Sequence, residues 1–260
     1  MRCIFCKSDS SNSRSIEHII PESLGNTDAV LPAGVVCDSC NNYFARKIEG
    51  PLLASLGFQS LRGRQGIGNK RGKIPPISGY FPKARIEIAM ERDQEGDMFV
   101  YPSRSSDNAL FSDHIKKKEG GSFIIPTSMT HDDRTMGRFL GKVGLETLAK
   151  KFLEIEGWND EIVDKEELDL LRKYVRLNDG VTWPINKRRI YSEDFRFDDG
   201  SQVLHEVDIL LTDENEYYVV VCIFGMEYVL NLGGPELDGY QKWLKQNNER
   251  SPLYPNGLPA

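Results

Sequence analysis

Cys3-Ile4-Phe5-Cys6, Ser15-Ile16-Glu17-His18-Ile19-Ile20-Pro21 and Val36-Cys37-Asp38-Ser39-Cys40-Asn41-Asn42 together decide the reading of this chain. A CxxC pair is a tight knuckle that presents two thiolates, and two such pairs complete a tetrahedral zinc shell with no position left for water or substrate. Zinc at Cys3, Cys6, Cys37 and Cys40 is therefore expected to be structural. Thirty residues, Lys7 to Val36, separate the knuckles, against roughly 15 to 20 in ordinary zinc ribbons. The longer spacer holds something between them, and at its centre an acid stands next to an imidazole.

Composition sets the surroundings. With 260 residues, 39% hydrophobic and 28% charged, the chain is long enough for one large domain or two small ones with real cores. No apolar run approaches the roughly 18 to 20 residues that span a bilayer, and Met1-Arg2-Cys3-Ile4-Phe5-Cys6 has no apolar leader, so a cytoplasmic location with no membrane contact is the default expectation. Five cysteines are too few for a disulfide scaffold. The fifth, Cys222, lies in Tyr218-Val219-Val220-Val221-Cys222-Ile223-Phe224 and reads as a small buried hydrophobe. The net charge is −6, yet residues 1–75 carry ten Lys/Arg against six Asp/Glu, which leaves −10 for the rest. That balance disfavours broad phosphate contact by the C-terminal part.

Three segments follow from the pattern. Residues 1–57 read as a zinc module, a β-like run ended by Pro21 and then a helix with Phe44 and Ile48 on one face, ended or kinked at Gly50-Pro51. Residues 58–75, basic, glycine-rich and without acids after Ser60, read as a linker or a phosphate-tracking arm. Residues 76–260 read as a separate α+β domain. It has a hairpin from Ala84–Glu91 through Gln94-Glu95-Gly96-Asp97 to Met98–Tyr101, helices over about 132–156 and 160–177, and strands over Val203–Leu211, Tyr217–Phe224 and Tyr228–Leu232. The fold class is therefore α+β.

Cys3-x-x-Cys6, Glu17-His18-Ile19-Ile20-Pro21-Glu22-Ser23-Leu24-Gly25-Asn26 and Cys37-x-x-Cys40-Asn41 together resemble the HNH endonucleases, in particular their zinc-stapled branch with an EHIIP loop and a CxxCN ending. The resemblance covers about residues 1–55. It implies a ββα-metal fold in which His18 is the general base and the helix supplies a ligand to one catalytic divalent cation, magnesium or manganese. A neutral imidazole titrating near physiological pH can take a proton from water, and hard oxygen ligands can hold a cation that neutralises charge on the leaving oxygen. Asn41 matches the last motif position. Glu17 occupies the place of an acidic metal ligand, although adjacent strand residues face opposite sides. Relatives place a bracing asparagine shortly before the second CxxC, where this chain reads Val30-Leu31-Pro32-Ala33-Gly34-Val35; Asn26 comes too early for that position, and Asn42 is the candidate to do the bracing.

The expected function is thus metal-dependent hydrolysis of DNA phosphodiester bonds, in the setting of defence against foreign DNA. Arg46, Lys47, Arg62, Arg64, Lys70 and Arg71 are the candidate phosphate contacts. His114, His131 and His205 have no partners at metal spacing, and Gly25 suits a turn with positive φ. Other readings stay open: a non-catalytic zinc module that binds nucleic acid or protein, a ribonuclease, or a nuclease held silent until a small molecule, a protein or a second copy of the chain engages residues 76–260.

Overall fold

The computed structural model describes residues 1–69, 71–92, 96–117, 121–125, 131–197, 200 and 202–258. The chain forms two compact units, one from Met1–Gly50 with Asp132–Ala260 and one from Pro51–His131. This differs from the sequential division into 1–57, 58–75 and 76–260. The N-terminal module packs with the last half of the chain, and the middle is a unit of its own. That middle unit also holds the basic excess, with twelve Lys/Arg against eight Asp/Glu, whereas residues 1–50 have five against six.

In the first unit β1, Glu17–His18, pairs antiparallel with β2, Val30–Leu31, in the register Glu17↔Leu31 and His18↔Val30. Helix α1, Asp38–Phe44, starts at Cys37, whose sulfur accepts from the Cys40 amide. It runs into a π-helical turn at Ala45–Glu49 and then α2, Gly50–Leu53, so Gly50-Pro51 does not end the helical segment. Phe44 and Ile48 are both buried, as their spacing predicts.

The middle unit opens with α3, Leu56–Arg64, where the sequence suggested a linker. Buried Phe58 and Leu61 give that helix a core face. Gly63 is required by packing, since a Cβ there would stand 2.5 Å from Ile77 Cγ1 and 2.8 Å from the Pro75 carbonyl oxygen. Strands β3, Ile77–Phe81, β4, Ile86–Arg92, and β5, Met98–Pro102, form an antiparallel sheet in that order, followed by α4, Asn108–Lys116. The hairpin is as expected, although part of its turn lies outside the described residues. Alternation puts Phe81, Ile86 and Ile88 in the core with Val100 and Phe111.

The first unit resumes with α5, Asp133–Phe152, capped by Asp132, which accepts from the Thr135 amide at 2.8 Å. The expected second helix is broken into α6, Trp158–Val163, and α7, Asp169–Leu177. At the break the Arg172 guanidinium takes the Ile162 carbonyl and shares the Lys165 carbonyl with the Leu168 amide. Strands β6, Asn186–Arg189, β7, His205–Leu211, β8, Tyr217–Ile223, and β9, Met226–Asn231, build an antiparallel sheet in the order β6-β9-β8-β7. Helix α8, Asp238–Gln246, covers one face through Tyr240 and Leu244 against Tyr218, Val220 and Val229. Helix α5 covers the other, so closely that a Cβ on Gly144 would meet Leu232 Cδ2 at 2.5 Å. Cys222 is buried in a separate cluster with Tyr191, Val203 and Tyr254, its thiol donating to the Tyr191 hydroxyl at 3.2 Å. No helix among the described residues is long and apolar enough to cross a membrane.

Candidate metal centre and active site

The first knuckle closes through the Lys7 amide bonding the Cys3 carbonyl at 2.9 Å, with Lys7 in the left-handed region at φ 61°. The second sits at the start of α1, where the Cys37 amide donates to Cys3 Sγ at 3.4 Å and the Cys40 amide to Cys37 Sγ at 3.4 Å. All four sulfurs lie within 4.8 Å of one another. Sulfurs this close cannot all ionise against one another. A hydrogen bond from the Cys40 side chain brings the Cys3 thiol down to about 4, while that bond and burial push Cys40 far up. A dication resolves the conflict, and four converging soft donors fit a structural zinc. Among the described residues these four cysteines are the one group of metal-ligating side chains so clustered, so His114, His131 and His205 do not contribute to such a group.

Held between the knuckles, β1 and β2 carry the loop with His18. The imidazole Nε2 stands 3.0 Å from Glu22 Oε1, and the ring is 23% exposed, which leaves it reachable from solvent. Glu22 opens a single 3-10 turn, Glu22–Leu24, closed by Gly25 at φ 88°. Asn26 is 1% exposed and uses its whole amide: Nδ2 donates to the carbonyls of Ile20 at 2.6 Å and Ala29 at 3.0 Å, and Oδ1 accepts from the amides of Asp28 and Ala29. Asn26 therefore braces the histidine loop. Asn42, the candidate for that task from sequence, is exposed on α1. Asn41 donates its amide to the Ile16 carbonyl at 3.4 Å, which ties α1 to the residue that precedes β1.

Glu17 points the other way. Its side chain is buried with Oε1 2.8 Å from Lys142 Nζ on α5, and Oε2 has no hydrogen-bond partner. Burial pushes its carboxyl up, opposed by Lys142. The alternation of β1 thus turns Glu17 inward, with Lys142 as its cation partner. Around the same ammonium stand Glu49 Oε1 at 2.9 Å, Glu146 Oε2 at 3.0 Å and the His18 carbonyl at 3.0 Å. Burial drives Glu146 well above the ordinary carboxylate range. Burial also works against the Lys142 charge, but Glu146, Glu49 and Glu17 more than offset it.

The basic candidates divide. Arg46 and Lys47 are exposed on the π-helical turn and Arg71 is exposed in the middle unit. Arg62 is buried at 7% exposure, which takes it away from a phosphate, and Arg64 donates to Ser60 Oγ at 2.6 Å. Lys70 lies outside the described residues.

Sequence reasoning passed over Glu22, Asn26, Glu49, Lys142 and Glu146. The signal for the last two was present: Lys142 and Glu146 share the helical face of Phe139, at core positions where a charge needs a partner. Neither a curated protein nor a solved structure matches this chain. Residues 3–56 do match the family model described as HNH endonuclease, and with the cysteine cluster and the His18 loop as described, the N-terminal segment is an HNH module.

Proposed function

We propose that the protein is a metal-dependent endonuclease that hydrolyses phosphodiester bonds of DNA. The observation that carries this reading is the His18–Glu22 pair, 3.0 Å apart on a loop braced by Asn26. An Nε2–H donated to the Glu22 carboxylate leaves Nδ1 with its lone pair, the tautomer a general base needs. Nδ1 takes a proton from water as the water oxygen bonds to phosphorus and the bond from phosphorus to the 3′ oxygen breaks. Glu22 stabilises the imidazolium that results, and the leaving oxygen takes its proton from solvent. Magnesium or manganese, which the resemblance implies, would neutralise charge on the phosphate and leaving oxygen, with Asn41 as a ligand. Arg46, Lys47 and Arg71 are the exposed basic residues proposed to meet phosphates. Defence against foreign DNA is the proposed setting, with residues beyond the module proposed to select the target or receive a trigger.

The test incubates supercoiled plasmid, and in parallel RNA, with the full chain and magnesium or manganese, beside a His18→Ala variant. Loss of cleavage by roughly 10² to 10⁴ in the variant is the expected outcome. Equal cleavage by both proteins removes His18 from the chemistry, and preferential digestion of RNA transfers the reading to a ribonuclease.

A further inference from the structure

A lysine that is 0% exposed and contacts three carboxylates is costly to bury unless every partner is in place. Lys142 meets that condition with groups from three separate elements. Glu17 comes from β1, Glu49 from the turn that follows α1, and Glu146 from its own helix. Its fourth contact is the carbonyl of His18 itself, at 3.0 Å.

The geometry assigns Lys142 the part of a positioning residue for the centre around His18. This rests on the nuclease reading of that histidine. In a strand, neighbouring side chains stand on opposite faces, so an ammonium that holds Glu17 inward fixes His18 outward. By holding Glu49 at the same point, Lys142 also fixes the end of the helical segment that carries Asn41 relative to the strand that carries His18. Three carbonyls of the loop are then tied: His18 by Lys142, and Ile20 and Ala29 by Asn26. Glu17 is, on this assignment, a positioning carboxylate whose cation is the lysine, and it is not a ligand of the catalytic metal. The segment after residue 131 is part of the catalytic scaffold, not an appended domain.

The experiment compares Lys142→Met and Lys142→Arg with the wild-type full chain, using zinc content and circular dichroism to confirm folding. Cleavage is read as kcat and KM separately, and the His18 ring is followed by NMR with histidine labelled at Cε1, its signal assigned with His18→Ala. A folded Lys142→Met protein is expected to lose about a hundredfold in kcat with KM within about twofold, since a small misplacement of a catalytic group acts on the chemical step. Its His18 signal moves, and Lys142→Arg recovers part of the rate. Wild-type kcat with an unmoved His18 signal overturns the assignment. Should Lys142→Met lose its zinc, Lys142→Arg decides alone: a displaced ring signal with lowered kcat supports the role, and wild-type values of both refute it. If no protein cleaves, the wild type included, the nuclease reading fails, and the ring signal still decides whether Lys142 sets the loop.

Discussion

Arg172 Nε donates to the Ile4 carbonyl at 2.8 Å, across 168 residues of sequence. The same guanidinium bonds Lys165 O at 2.9 Å, Asp169 Oδ1 at 2.6 Å and the Ile162 carbonyl, so one buried cation clamps the first zinc knuckle to α6 and α7. Arg172→Met removes the donors to the Ile4 and Ile162 carbonyls, both at buried positions. A loss of about 3 kcal/mol is expected, measured by urea unfolding, and a change below about 0.5 kcal/mol, the scale of an ordinary surface substitution, refutes the clamp.

Zinc should stand at one ion per chain by elemental analysis, and Cys40→Ser should abolish it. Because the knuckles hold both ends of the His18 loop, loss of the ion is expected to unfold the N-terminal module. Protection of the Ile19 and Asn41 amides from hydrogen exchange reads this directly; unchanged protection after chelation counts against a structural metal.

Asn26→Ala deletes four hydrogen bonds of a buried amide and is expected to cost about 2 to 3 kcal/mol. Glu22→Gln leaves the loop intact but removes the carboxylate beside His18 Nε2, and a fall in kcat on the order of tenfold is expected. Thermal unfolding separates the two, since only the first variant should melt early.

Glu146 has a folded-state pKa well above the ordinary value. The folded protein therefore binds its proton more tightly than the unfolded chain. That contribution is complete below about pH 4 and is lost as pH rises towards the folded value. Glu146→Gln removes the dependence and can still face Lys142 through its amide oxygen. Between about pH 5 and 8 the variant should gain stability relative to wild type, followed by urea midpoints; parallel curves for the two proteins contradict the prediction.

Gly144→Ala places a methyl carbon 2.5 Å from Leu232 Cδ2 and 3.0 Å from Val219 Cβ. Overpacking where α5 crosses the sheet is expected to cost about 1 to 3 kcal/mol, despite the better helix propensity of alanine. A melting temperature at or above wild type would show that the Leu232 side chain can give way.

Several features are written in local sequence. The knuckles, the Glu17-His18 strand and Gly25 are short-range devices, read from spacing and from the conformational needs of a few residues. The β4–β5 hairpin, α5 and the apolar β8 run follow from periodicity, because a face buried along a whole element repeats along the chain. Elements without that repeat were not legible: β6 is Asn186-Lys187-Arg188-Arg189, a strand only because β9 pairs with it. The helix expected over 160–177 is interrupted where the Arg172 side chain, from the second half, reaches back to the Ile162 and Lys165 carbonyls, a contact that no local pattern announces.

The sequence by itself determined the cysteine cluster that fits zinc, the HNH module and the α+β class, since each depends on neighbours a few residues away. Tertiary structure decided which way Glu17 faces, that Asn26 braces the loop, and that Lys142 and Glu146 stand behind it. A charge in a helix names no partner until packing removes water from around it. Only then do the other ends of its hydrogen bonds, for Lys142 as far along the chain as Glu17 and His18, become obligatory.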